Sequence, residues 1–112
     1  MKPYFTFGSA VLLLLCLNVQ AMDFDRLASS IRVEEGNNPN WLYGVHHASQ
    51  KPLGESEARN RCIVTCKRVW RVWDAAGRQN DYFKALSQVY CPVNAKSWER
   101  NVKYLYEHNK KK

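Results

Sequence analysis

Between Gly54 and Gly77 the chain runs without a glycine or proline, and Ala58, Cys62, Thr65, Cys66, Val69, Trp73 and Ala76 recur there every three or four positions. That spacing returns side chains to one face of an α-helix, so the stretch predicts a long amphipathic helix over 55–76. Glu55 and Glu57 fall in its first turn, where negative charge suits the helix dipole, and Gly77 supplies the stop. Lys67, Arg68 and Arg71 line its outer face. A chain of 112 residues that spends so many on one helix has room for little else than helices of matching character.

The remaining periodicity agrees. Residues 23–35 read as a first helix, ended by Gly36. A third helix is predicted over 81–90, with Asp81 or Asn80 as cap and Phe83, Leu86, Val89 and Tyr90 turned inward, and Pro92 prevents its continuation. A fourth is predicted over 95–108, capped near Asn94, with Trp98, Val102 and Leu105 inward, before the basic tail Lys110-Lys111-Lys112. No alternating strand pattern, repeat or low-complexity linker interrupts this order, so the fold class is all-α, with about four helices. From Asn37 to Gly54 the chain is rich in turn residues and lacks periodicity. An irregular segment of that length in so small a domain is more often functional than idle, and this one carries Trp41, Tyr43, His46 and His47.

The first 21 residues read as an export signal, with Lys2 as a short positive region, an apolar run through Val11–Leu17, and Val19-Gln20-Ala21 as the cleavage site. The apolar run is too short to favour a membrane span. A lipoprotein signal acylated at Cys16 competes, but Leu15 is a poor residue before such a cysteine. The expectation is therefore a signal over 1–21 and one domain over 22–112, exported to a periplasm or secreted. That domain holds 16 basic and 10 acidic residues, a net charge of +6. A small basic protein outside the cytoplasm is drawn to polyanions such as wall polymers or lipid headgroups, with no signature of specific nucleic-acid recognition.

Three cysteines remain in the domain. Cys62 and Cys66 stand four apart on one helix, an awkward geometry for a bridge between them, and either could pair with Cys91 in an oxidising compartment. Cys62–Cys91 is the favoured pairing, with Cys66 left as a thiol. It would close a loop of about 30 residues and stabilise by roughly 3 kcal/mol. His46 and His47 upstream of Cys62 and Cys66 match no standard zinc spacing, and no metal or other cofactor is expected. There is no glycine-rich phosphate loop, EF-hand loop or Ser-His-Asp order, and nothing in the sequence sets an oligomeric state.

The first helix holds the most chemistry. Phe24, Leu27, Ala28, Ile31 and Glu35 share one face, so Glu35 falls on the apolar stripe one residue before the helix-ending Gly36, whereas Glu34 falls on its flank. Burial disfavours an ionised carboxyl, and a carboxyl that keeps its proton near neutrality is what a general acid requires. With the register slipped, both glutamates would instead be solvated helix-end residues.

Ile31-Arg32-Val33-Glu34-Glu35-Gly36, followed by Tyr43-Gly44-Val45, resembles the small exported lysozyme-like proteins of the lytic transglycosylase superfamily. The likeness extends through Glu57-Ala58-Arg59, Cys62 and Thr65, through Trp73 to Gly77 and Asp81-Tyr82-Phe83, and through Tyr90-Cys91-Pro92 to Trp98 and Asn101-Val102. It covers about 70 residues. The chain departs from the commonest pattern in having Gly36 where a serine usually follows the glutamate, in a short substrate loop, and in a tight spacing from Pro92 to Trp98. The resemblance implies a small lysozyme-like helical domain that cuts the β-1,4 bond between N-acetylmuramic acid and N-acetylglucosamine in peptidoglycan glycan strands. It implies Glu35 as the single catalytic acid, with Glu34 in that role under the alternative alignment. It also implies that Tyr43, Gly44 and Tyr90 line the sugar site. Two other classes stay open: a lysozyme-like module that binds glycan or protein without cutting, and a basic exported effector.

Overall fold

Four α-helices and one short 3-10 turn make up the computed structural model, which describes residues 21–39, 41–44 and 53–108. They are α1 (Phe24–Glu35), the 3-10 turn Leu42–Gly44, α2 (Glu55–Ala75), α3 (Tyr82–Tyr90) and α4 (Ala95–His108). Each α-helix lies within a residue or so of its predicted span, the 3-10 turn falls in the segment read as irregular, and no strand occurs among the described residues. No helix among them is long and apolar enough to cross a membrane. Residues 1–20 of the expected export signal, His46, His47 and the terminal lysines lie outside the described residues.

The helix boundaries follow from local chemistry. Asp23 caps α1, its carboxylate accepting from the Arg26 N–H at 3.0 Å. Gly36 ends α1 at φ 87° and ψ −169°, backbone that only glycine adopts cheaply. Arg32 then reaches forward from the last turn, donating to the Gly36 carbonyl at 2.7 Å and to Asn37 Oδ1 at 2.9 Å, which satisfies acceptors beyond the helix end. Of the two candidate caps for α3, Asp81 is the one used: it accepts from the Phe83 N–H at 2.8 Å and pairs with Lys103 of α4 at 2.7 Å.

α1 is the central element, packed against α2, α4 and the 3-10 turn, while α3 bridges α2 and α4. Its stripe of Leu27, Ala28 and Ile31 is fully buried, as its register demands. Ala58, Cys62 and Cys66 of α2, Leu86 of α3, and Trp98 and Val102 of α4 close around that stripe. Each fully buried Leu or Ile contributes ~1.5–3 kcal/mol relative to exposure, so this stripe anchors the domain. A second, aromatic layer joins Phe24, Trp70, Trp73 and Tyr82 in edge-on and tilted contacts at 4.9–6.0 Å. The Tyr82 hydroxyl donates to the Cys66 carbonyl at 2.7 Å and ties α3 to α2.

Three expectations are corrected. Val89 is half-exposed rather than buried, because Phe83, Leu86 and Tyr90 already define the inward face of a nine-residue helix and Val89 stands off it. Ala76 lies just past the end of α2 and is exposed. The Cys62–Cys91 bridge is not formed: all three cysteines are free thiols. Cys62 instead lies 4.1 Å from Cys66 and accepts from the Tyr90 hydroxyl at 3.3 Å, so its sulfur is already satisfied inside the core. The closeness of the two thiols lowers the pKa of Cys62 and raises that of Cys66.

Burial ranks the thiols. In native protein lacking the export signal, a water-soluble thiol reagent is expected to modify Cys91 alone, with Cys62 and Cys66 reacting only after denaturation. A single reactive thiol in the denatured, unreduced chain would instead establish a bridge.

Candidate active site

The stripe that buries Leu27 and Ile31 carries Glu35 inward at the last turn of α1, so the register places Glu35, not Glu34, toward the core. A carboxyl there needs a donor, and α4 supplies it: the Trp98 indole N–H donates to Glu35 Oε2 at 2.7 Å. Burial is the largest influence on this carboxyl and raises its pKa above the ordinary value. The Trp98 hydrogen bond lowers it in part, and the neighbouring negative charge of Glu34 adds to the rise. The net direction is upward, toward a protonated acid.

The 3-10 turn forms the second wall. Gly44, at φ 69°, lies so close to the acid that a Cβ there would meet Glu35 Cδ and Tyr90 Cδ1 at 3.0 Å each. Only a residue without a side chain lets this backbone approach the carboxyl. The Tyr90 ring forms the third wall, stacked on Trp98 with centroids 5.2 Å apart and planes 9° from parallel. The Tyr90 hydroxyl donates to Cys62, not to the acid. A relay of contacts thus runs Cys62, Tyr90, Trp98, Glu35, joining α2, α3, α4 and α1.

Tyr43 departs from the expectation that it lines a sugar site. Its side chain is buried, and its hydroxyl donates to Glu55 Oε2 at 2.5 Å while accepting from Arg59 at 3.2 Å. Its backbone sits at φ 59°, a left-handed conformation unfavourable for a residue with a Cβ. Burial of the ring and the two hydroxyl contacts hold it there and so deliver Gly44 to the acid. Arg59 also donates to the Asp25 carbonyl at 2.9 Å, and Arg32 pairs with Glu55 at 3.3 Å, so α1, α2 and the turn are latched by one polar cluster. The Tyr43 hydrogen bond, followed by Arg32, holds the Glu55 carboxyl below its ordinary range.

Of the site residues expected from sequence, Glu35, Gly44 and Tyr90 therefore come together, and Tyr43 supports them from behind. Sequence reading missed Trp98 as the donor to the acid, taking it for core alone. It also missed Asn101, whose amide donates to Glu34 Oε2 at 3.4 Å. The signal was present: Trp98 and Asn101 are three apart on one face of α4, opposite the adjacent glutamates. No group of three or more metal-ligating side chains occurs among the described residues. Comparison with known protein families, curated proteins and solved structures gives no match to this chain.

Two measurements test this geometry. Trp98→Phe removes the hydrogen bond that lowers the carboxyl pKa, so the Glu35 titration followed by carboxyl NMR is expected to move further up. Gly36→Ala meets no neighbour within 4 Å and is expected to cost ~1–3 kcal/mol of backbone strain alone. Gly44→Ala is expected to cost roughly 1–3 kcal/mol beyond its own strain through overpacking, and to disturb the Glu35 titration, which Gly36→Ala should not.

Proposed function

We propose that the protein is a peptidoglycan-cleaving lytic transglycosylase that uses Glu35 as its one catalytic carboxyl group. The observation that carries this reading is the half-buried carboxyl of Glu35, raised in pKa, fixed by Trp98 and approached by the bare backbone of Gly44. Glu35 would protonate the glycosidic oxygen as the bond between muramic acid and glucosamine breaks. The anion left behind, steadied by the indole N–H, would then take the proton from the C6 hydroxyl of the same muramic sugar as that oxygen closes on C1. The products are a free glucosamine hydroxyl and a 1,6-anhydro end, and no water is consumed.

The distribution of carboxylates favours this reaction over hydrolysis. Hydrolytic glycosidases place a second carboxyl group roughly 5–9.5 Å from the first. None of the residues from 36 to 54 is acidic, so the segment that follows the acid offers no partner. Asp81 caps the far end of α3, about 13 Å along the helix axis from Tyr90. Asp74 lies about 18 Å along α2 from Cys62 and pairs with Arg78. Asp25, Glu55 and Glu57 pair with arginines, and Glu99 and Glu107 flank Lys103. Glu34, the neighbour in sequence, is turned to Asn101. A mechanism that draws its nucleophile from the substrate needs none of them. The +6 charge of the expected domain suits an anionic wall.

Mass spectrometry of digested peptidoglycan tests the reaction: 1,6-anhydro ends are expected, whereas reducing ends would identify a hydrolase and an intact polymer a non-cleaving module. Glu35→Gln keeps the shape and removes the transferable proton, so the rate is expected to fall by ~10²–10⁴. Glu34→Gln should leave turnover nearly intact. The same Glu35→Gln variant is expected to be more stable than the parent at neutral pH. Because the folded pKa is raised, the native state holds its proton more tightly than the unfolded one, and stability falls as pH rises from the unfolded value through the folded one. The stabilising effect of Glu35→Gln should therefore vanish in acid, below about pH 4, where both states carry the proton. Thermal melts of the two proteins across pH measure it.

A further inference from the structure

Beside the acid, on the outer side of Glu34, lies a depression of about 430 Å³ lined by Glu34, Arg100, Asn101, Tyr104 and Leu105. That volume is within the range of small-ligand clefts. Its lining neighbours the acid site along two helices: Glu34 precedes Glu35 on α1, and Asn101 stands one turn beyond Trp98 on α4. The chemistry of the two places differs. The acid site is aromatic and closed by backbone, whereas the depression sets a guanidinium and a carboxylate around one amide. Among the described residues the Arg100 guanidinium makes one long contact, 3.4 Å to Ser97 Oγ, and the side chain is exposed. Tyr104 is 58% exposed, and its ring is held by stacking on His108 at 4.0 Å. Leu105 is half-buried.

Neutral sugar rings need neither a guanidinium nor a carboxylate to bind them. A ligand bearing both a carboxylate and an ammonium group suits the pair, with the guanidinium taking the carboxylate and Glu34 the ammonium. Resting on the transglycosylase reading, we propose that this depression is a subsite for the amino-acid peptide that branches from the muramic sugar. The connection is stereochemical. The sugar whose C1–O bond is cut is the one that bears the peptide, so its first residues must leave the cleft within a few ångströms of Glu35. Charged peptide residues would then lie along α4 from Asn101 toward Tyr104, and the acid would meet glycan already oriented by its branch.

The test compares peptidoglycan carrying its peptides with the same glycan after an amidase has stripped them, reading the initial rate of 1,6-anhydro ends. The unmodified protein is expected to favour the peptide-bearing polymer by ~10-fold, and Arg100→Ala to reduce that ratio to about twofold or less. Equal rates on both polymers, or a ratio that Arg100→Ala leaves unchanged, overturn the subsite. A second arm titrates the full chain with the soluble peptides that the amidase releases, following backbone amide shifts by NMR. Saturable shifts at Asn101, Tyr104 and Leu105 that weaken in Arg100→Ala are expected, and their absence overturns the proposal. Such shifts in a protein that cuts neither polymer would retain the subsite while removing the transglycosylase reading. Arg100 is exposed, so its replacement leaves the core intact.

Discussion

A carboxyl group turned inward at the end of a helix must find a donor or lose its place in the fold, and the 2.7 Å bond from the Trp98 indole to Glu35 meets that need. Much of the architecture can be traced to it. Trp98 sits on α4, so α4 must cross the C-terminal end of α1. Tyr90 stacks on the indole, so α3 must end beside it, and the Tyr90 hydroxyl reaches Cys62 on α2. The four helices are thus joined around one acid by a short series of contacts. Their number leaves little tolerance, because moving any ring shifts the carboxyl.

The turn after α1 solves a different problem. An acid that works on a substrate must be desolvated enough to keep its proton and still be reachable. Gly44 brings bare backbone against one side of Glu35, where a Cβ would meet the carboxyl carbon at 3.0 Å. The strain of Tyr43 at φ 59° is offset by burying its ring and by the Glu55 and Arg59 contacts of its hydroxyl. Strain of this kind persists only where its surroundings over-determine it. The Arg32–Glu55 pair is part of that surrounding. It is also solvent-facing, so its contribution should weaken with salt.

Adjacent glutamates divide the work by direction alone. Side chains one residue apart on a helix diverge, and here Glu35 turns to Trp98 while Glu34 turns to Asn101. The first enters a pocket of rings, and the second borders an open, charged depression. One helical step therefore separates a group suited to proton transfer from one suited to ionic recognition.

The all-α class, the four helices and the inward turn of Glu35 were all legible in the chain. Each follows from short-range periodicity and from the stops at Gly36, Gly77 and Pro92, which act within a few residues of themselves. Gly44 was singled out through resemblance to a known motif, but its close approach to Glu35 and Tyr90 was not visible there. What only the tertiary structure decided were contacts between distant residues: Trp98 with Glu35 across 63 positions, Tyr90 with Cys62 across 28, and Tyr43 with Glu55 and Arg59. The same limit explains the corrections. Periodicity shows which residues face a core but not which neighbour each meets, so it marked Cys62 as buried and could not show its sulfur engaged by Tyr90 and Cys66 rather than Cys91. Spacing along a helix is set by the backbone, whereas the partner of a side chain is set by how separate helices cross.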